Sequence, residues 1–413
     1  MRTPTRIPAR FCLPCLLLLP CLPGQSGWAT PVIDNALTST SASDLGPHIS
    51  ADGLTMHLAR YNNSSLNWDI YVASRTGRGQ AWSAPAVEAT LSDATGHDSA
   101  PFLRADGLEI YFATSSRSGQ GSLDIMRATR TSTAAPWGTP TYVSEVNDAS
   151  AADGDPSITA DGLTLFFLSN RTGSPNAPNG AIWMAQRTTP TGKFGTPTLV
   201  TEVSSTSAER DPEISPDGLR LVFIRQNRTT SALDVMFAER TNPTAKFSAP
   251  VALPGLAGLG VTLSRDGSEL YLCQNNGAPA YYDVYVTRFA GLTTDGIAST
   301  TGVMRVHYRD PGAGGKVFLG ALSLGSTPGF PLDTRTVPLN VDGLLLMSIG
   351  GLSGVTTGYG GALPPSGETL ATIANPHPAL AGLRIWTAFF TLDGAAPSGV
   401  LTISNVRPIE LAQ

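Results

Sequence analysis

The sequence predicts an all-β protein, a β-propeller followed by a C-terminal β-sandwich, and three observations carry that expectation. Asp-Gly recurs at Asp52-Gly53, Asp106-Gly107, Asp161-Gly162, Asp217-Gly218 and Asp266-Gly267, at intervals of 54, 55, 56 and 49 residues. An aromatic residue followed three places later by proline recurs in step: Trp28/Pro31, Trp82/Pro85, Trp137/Pro140, Phe194/Pro197 and Phe247/Pro250. Self-similarity at such a period marks a repeat architecture. The third observation is that the strand after each Asp-Gly is apolar on both faces. Met56, Ile110, Leu165, Leu221 and Leu270 share one face with Leu58, Phe112, Phe167, Phe223 and Leu272, while Tyr111, Phe166, Val222 and Tyr271 lie on the other. Side chains alternate along a strand, so a sheet built this way must be covered on both sides. Small sheets packed radially around an axis meet that demand.

Within one unit the elements follow in order. The aromatic-x-x-Pro turn leads to a short apolar stretch such as Ala86-Val87, then to an acidic residue, a proline and a strand. The Asp-Gly turn comes next, because glycine accepts the positive backbone dihedral a tight hairpin requires. A second strand, a loop and a third strand such as Asp69–Val72 complete the unit, which an arginine closes: Arg75, Arg130, Arg187, Arg240 or Arg288. Five such units over residues 28–290 make a five-bladed ring.

At this point the residues resemble a known family. Asp211-Pro212-Glu213-Ile214-Ser215-Pro216-Asp217-Gly218, followed by a strand, a loop and Asp-Val, looks like the WD40-like repeat of TolB-type propellers, and Ser169-Asn170-Arg171 is similar to that family's turn. The resemblance spans roughly residues 28–290. TolB-type rings usually have six blades and shorter repeats, so a six-bladed ring stands beside the five-bladed one.

After Arg288 the period stops. Residues 291–301 read as a Gly/Ser/Thr-rich linker, and 302–413 as a β-sandwich with runs at Met304–Tyr308, Lys316–Leu322, Leu344–Ile349, Thr369–Ile373, Arg384–Leu392 and Leu401–Val406. The stretch from Asn375 to Leu383, continuing through Thr391-Leu392-Asp393 and Ser404-Asn405, resembles a module at the ends of secreted planctomycete and myxobacterial proteins. That resemblance implies exported-protein architecture and no activity.

Residues 1–26 read as a cleaved signal peptide: Arg2, Arg6 and Arg10 precede the apolar run Phe11–Leu22, which is too short to span a bilayer. Leu19-Pro20-Cys21 lacks the small residue that lipidation needs before the cysteine. Cys12, Cys15 and Cys21 leave with the leader, so Cys273 alone remains and no intramolecular disulfide forms. The expectation is a periplasmic or secreted monomer. Charged residues are 14% of the chain and the net charge is −5, which gives no footprint for nucleic acid.

Catalytic motifs are absent: there is no Gly-x-Ser-x-Gly elbow, no His-Glu-x-x-His and no phosphate-binding glycine loop. No cofactor is implied beyond calcium. Asp44, Asp98, Asp153 and Glu209 stand three residues before the first-strand proline of four units, and the fifth has Gly258 there. Set around one mouth of the channel, with His48 and His97 flanking it, they are candidate binding residues. Asp98, Asp153 and Glu209 are candidate calcium ligands, since hard cations take carboxylate oxygens. A carboxylate repeated in every blade also suits a structural role on backbone amides or an arginine. Residues that break the repeat are the other candidates: Asp155, Asp211 and Glu213 add acids in units three and four, and paired acids suit glycoside hydrolysis. His57 reads as a packed core histidine and Cys273 as an inert buried thiol. The sequence therefore points to a binding scaffold for a protein or glycan of the cell envelope or exterior. The alternative is a five-bladed glycoside hydrolase.

Overall fold

A computed structural model describes residues 28–413, apart from positions 94, 116–118, 120, 176–178, 228, 266–268, 276–280, 289–290, 297–301, 311–312, 325, 327–329, 333–334, 338, 366, 396–399, 405–406 and 412–413. The expected leader, Cys12, Cys15, Cys21 and the fifth Asp-Gly lie outside the described residues.

Five four-stranded antiparallel sheets form a five-bladed propeller. Blade 1 runs from its inner to its outer strand through Asp44–Ile49, Thr55–Asn62, Asn67–Ser74 and Ala86–Val87. Blade 2 has Asp98–Leu103, Glu109–Thr114, Asp124–Thr129 and Thr141–Tyr142. Blade 3 has Asp153–Ile158, Thr164–Ser169, Ala181–Gln186 and Thr198–Leu199, and blade 4 has Glu209–Ile214, Arg220–Gln226, Leu233–Glu239 and Val251–Ala257. Blade 5 takes Leu259–Leu263, Glu269–Asn275 and Tyr282–Arg288 from the end of the repeats, and its outer strand, Val32–Ile33, from their beginning. The short stretch after each aromatic-x-x-Pro turn thus belongs to the preceding blade, not to the unit it opens. This offset closes the ring, with Val32 opposite Val286 and Ile33 opposite Tyr285.

The two-faced apolar strands do what their pattern requires. Phe167 packs toward blade 2, with Tyr111 and Ile125, while its neighbour Phe166 packs toward blade 4, with Leu221 and Phe223. Both rings are fully buried. Complete burial of one such side chain contributes about 2–3 kcal/mol, so the second strands form the main core of the ring.

Three repeating signals meet at one joint. In blades 1–4 the arginine that ends the third strand donates its Nε–H to the carbonyl of the Asp-Gly glycine: Arg75 to Gly53, Arg130 to Gly107, Arg187 to Gly162 and Arg240 to Gly218, at 2.6–2.7 Å. The same guanidinium stacks on the following aromatic, 4.2–4.5 Å from the centroids of Trp82, Trp137, Phe194 and Phe247. Cation–π attraction of this kind is worth most where water is excluded.

Beyond the ring, residues 291–296, read above as linker, form a strand opposite Val303–Arg309, so the expected linker is partly sheet. That strand shares a sheet with Glu368–Ala374 and Thr356–Thr357. The facing sheet contains Gly360–Ala362, Val317–Ser323, Arg384–Leu392 and Val400–Ile403, with Arg407–Glu410 also on Arg384–Leu392. Val306, Tyr308 and Ile373 from the first sheet pack on Phe318, Leu322 and Phe389 from the second, as in a sandwich. The expected strand Leu344–Ile349 is instead a helix, Gly343–Ser348. Asp342 caps it by accepting from the Leu345 amide at 2.9 Å, a start signal that outweighs a run of apolar residues with no period of two. Of the expected run Leu401–Val406, positions 405 and 406 lie outside the described residues.

Candidate functional site

The axis of the ring is built from one irregularity repeated five times. In every inner strand two residues oppose a single residue of the second strand: Gly46 and Pro47 face the Leu58 position, and matching register shifts occur in the other four blades. The first bulge residue is left-handed in all five, with φ of 54° at Gly46, 49° at Ala100, 47° at Asp155, 50° at Asp211 and 55° at Gly260. Proline fills the second place in blades 1–4, since the innermost strand is an edge strand and the bulge removes the need for an amide donor there. The bulges of neighbouring blades lie close together. A Cβ added at Gly260 would stand 2.6 Å from the Gly46 nitrogen, and one at Gly46 would stand 3.2 Å from the Ala100 Cα. The waist of the channel is therefore narrow and lined by the bulges of all five blades.

Asp155 and Asp211 occupy this waist as neighbours. Asp155 Oδ2 accepts from the Asp211 amide at 3.3 Å, and Asp211 Oδ2 accepts from the Gly260 amide at 2.9 Å, so each side chain ties its blade to the next. Burial, with the adjacent Asp211 charge, pushes the Asp155 carboxyl far above the usual carboxylate range. Burial also raises Asp211, while the Arg210 guanidinium beside the pair favours the charged forms of both.

One layer further along each inner strand stand His48, Phe102, Ser157, Glu213 and Thr262. His48 Nε2 lies 3.0 Å from the Leu103 carbonyl, which only accepts, so that nitrogen carries the proton. Nδ1 then faces Glu213 Oε2 at 3.6 Å, and Phe102 lies 4.1 Å from the imidazole, ring centroid to centroid. Thr262 Oγ donates to Glu213 Oε1 at 3.0 Å and accepts from the Ile49 amide at 3.3 Å, and Ser157 Oγ accepts from the Ile214 amide at 2.7 Å. Blades 1 and 4, separated by blade 5, are thus joined through His48 and Glu213.

The four repeated acids are placed elsewhere. Asp44, Asp98, Asp153 and Glu209 begin their inner strands, are fully buried, and line neither of the two axial cavities described below. Each binds within its own blade. Asp44 takes Arg60 Nε at 2.6 Å and the Ser39 amide at 2.8 Å, and Asp153 takes Arg171 Nη2 and the Asp148 amide, both at 2.6 Å. Glu209 takes Arg225 Nε at 2.9 Å and the Ser205 hydroxyl, and Asp98 takes the Asp93 amide at 2.6 Å. Desolvation pushes Asp44, Asp153 and Glu209 upward, and their arginines oppose it. The sequence reading singled out Arg171 only within the Ser169-Asn170-Arg171 turn and Arg60 and Arg225 not at all, although an arginine 16–18 residues after each of these three acids is a signal that finds them. Among the described residues no three His, Cys, Asp or Glu side chains come together as a metal site requires. His97 lies on an exposed loop, where its Nδ1 accepts from the Trp68 amide at 3.1 Å. His57 is buried, and its pKa is pushed down to about 3 by desolvation; burial likewise raises the Cys273 thiol.

Two cavities lie along the axis. One, of about 30 Å³, is lined by the bulge residues, including Asp155 and Asp211. The other, of about 60 Å³, opens on the face of the Asp-Gly turns. His48, Phe102 and Glu213 line both and form the partition between them. No described helix is long and apolar enough to cross a membrane.

Neither a protein-family model nor a curated relative matches the sequence. Solved propellers are similar in shape. A putative TolB from Agrobacterium tumefaciens is 13% identical with a TM-score of 0.37, covering 66% of this chain and 78% of its own. The catalytic domain of the GH62 α-L-arabinofuranosidase of Coprinopsis cinerea is 12% identical with a TM-score of 0.43, covering 63% and 96%. An α-L-arabinofuranosidase from Lactobacillus brevis is 13% identical with a TM-score of 0.43, covering 64% and 93%. Likeness at this level says nothing of activity, and the propeller itself rests on the strand order above.

Proposed function

We propose that the chain is an exported, non-catalytic propeller that holds a protein or glycan partner of the cell envelope or exterior. The observation that carries this reading is the use of the axial acids as ties between blades. Asp155 accepts from the Asp211 amide and Asp211 from the Gly260 amide, in a waist whose cavity is only about 30 Å³. Glycoside hydrolysis needs its two carboxyl groups on opposite sides of the scissile bond, roughly 5–9.5 Å apart. The apolar-run leader in the sequence supports export.

The glycoside hydrolase reading keeps one point in its favour, a carboxyl held protonated near neutral pH beside a second carboxylate, as a general acid is. Purified protein incubated with a panel of plant and bacterial polysaccharides separates the two. The expected result is saturable binding of an envelope glycan or protein with no product released. Hydrolysis that disappears in Asp155→Asn, Asp211→Asn or Glu213→Gln would establish the enzyme instead.

A further inference from the structure

Two residues after the Asp-Gly glycine, blades 1 and 3 have Thr55 and Thr164, blades 2 and 5 have Glu109 and Glu269, and blade 4 alone has a basic residue, Arg220, which borders the larger cavity. At the blade 2–3 and blade 5–1 junctions, the arginine ending a third strand reaches back to a glutamate on the second strand of the preceding blade. Arg187 lies 3.4 Å from Glu109, and Arg75 lies 2.7 Å from Glu269. Blade 4 has Arg220 where those glutamates stand, so the equivalent arginine of blade 5, Arg288, pairs with Glu269 of its own blade at 3.2 Å. Blade 5 adds Arg265 in the position that is Ala51, Ala105, Ala160 and Pro216 in the other blades. Among the described residues neither Arg220 nor Arg265 has a carboxylate partner.

Both arginines line the cavity that opens on the turn face. Its walls are apolar, with Leu103, Ile158 and Leu263 among them, and its inner end is the His48–Glu213 partition. His48 is 5% exposed and, with Glu213, caps the inner end of the cavity. An apolar concavity with a few convergent polar groups is the ordinary form of a small-molecule site.

We propose that this cavity binds a small organic anion with a short apolar stem. Two guanidinium groups without a carboxylate partner among the described residues draw a carboxylate or phosphate ester to the mouth. The Glu213 carboxylate repels a second anion from the inner end, which sets the orientation: stem inward along Leu103 and Leu263, charged head outward on Arg220 and Arg265. A stem of a few carbon atoms suits a cavity of about 60 Å³. The site does not rest on the envelope-partner reading, because it lies on a ligand scale of its own and is tested without any macromolecule.

Calorimetric titration of the full protein with butyrate at low ionic strength is the test, with butyramide and sulfate as comparison ligands. Saturable one-to-one binding of butyrate is expected, with butyramide and sulfate each weaker by about tenfold or more, since a charge-assisted pair to arginine is the stronger contact. Arg220→Gln with Arg265→Gln should weaken butyrate about tenfold or more while leaving the thermal midpoint in place, because both side chains are exposed. Each single variant should give an intermediate loss, which keeps the test intact if the double variant folds poorly. No saturation with butyrate, equal binding of butyramide, equal binding of sulfate, or an unchanged affinity in the arginine variants would each overturn the proposal.

Discussion

Two sets of carboxylates stand two residues apart on the same inner strands, and they behave differently. Asp44, Asp153 and Glu209 each meet an arginine of their own blade, so each is a closed local unit that the repeat copies. Asp155 and Asp211 have only each other, two backbone amides and the nearby charge of Arg210. The first set is neutralised one blade at a time; the second couples blades 3, 4 and 5 through backbone amides. A feature that recurs in every blade can be satisfied inside a blade, whereas one that breaks the repeat must find its partner in a neighbour. The breaks are therefore where the ring stops being five independent sheets.

The largest effect should come from breaking the first set. Asp153→Ala leaves the Arg171 guanidinium, 11% exposed, facing an empty carboxylate position and frees the Asp148 amide. Removing one partner of a buried ion pair costs about 3–5 kcal/mol. Chemical denaturation should show a loss of that size, and Asp153→Asn, which still accepts from the amide, should lose less. Equal stability of the alanine variant and the parent would mean that the pair contributes nothing to the ring.

The axial pair should respond to pH in the opposite sense from an ordinary ion-paired acid. Because the Asp155 carboxyl is raised in the folded chain, the folded state holds its proton more tightly than the unfolded state does. That contribution is complete below the ordinary carboxylate range and is lost as pH climbs through the raised value. Stability should fall from mildly acidic toward alkaline pH, and Asp155→Asn should flatten the fall. The Asn variant should exceed the parent at alkaline pH by on the order of 1 kcal/mol, the worth of one pKa unit. Asparagine also suits the site's backbone, since it tolerates φ of 47°. Parallel pH profiles for parent and variant would show that the Asp155 carboxyl is not raised.

Much of this comparison could be read from the residues, and what escaped has a physical cause. Trp82, Gly53 and Arg75 each recur in register, so the joint they form was visible as three separate signals. The phase of the blades was not, because a period around a ring has no natural starting point. Only the pairing of Val32 with Val286 shows that the outer strand is lent to the blade before it. Of the pre-proline residues Gly46, Ala100, Asp155 and Asp211, the two acids stood out as breaks in the repeat, but a single glycine among the four gave no sign of a shared left-handed backbone. Blade 5 has Val261 where the others have proline, so Gly260 was not marked as a pre-proline residue. The helix at Gly343–Ser348 was missed because an apolar run so short has no resolvable period, and its Asp342 cap was the available signal.

The smallest effect tests whether the waist is a shared geometry and not five coincidences. If the left-handed bulge is required in every blade, Ala100 is strained at φ 49° in a place where blades 1 and 5 use glycine. Ala100→Gly removes a Cβ from a backbone region that disfavours it by about 1–2 kcal/mol, set against about 0.5–1 kcal/mol of added freedom in the unfolded chain. A net gain of roughly 0.5 kcal/mol is expected, read as a small rise in the denaturation midpoint at unchanged slope. Gly260→Ala is the converse change and should be the harsher one, because its new Cβ would meet the Gly46 nitrogen at 2.6 Å as well as a disfavoured φ. If Ala100→Gly destabilised the ring while Gly260→Ala left it intact, the bulges would not be equivalent, and the shared geometry of the waist would lose its basis. The opposite pattern would tie Asp155 and Asp211 to their conformation as well as to each other, since both sit on the same left-handed backbone.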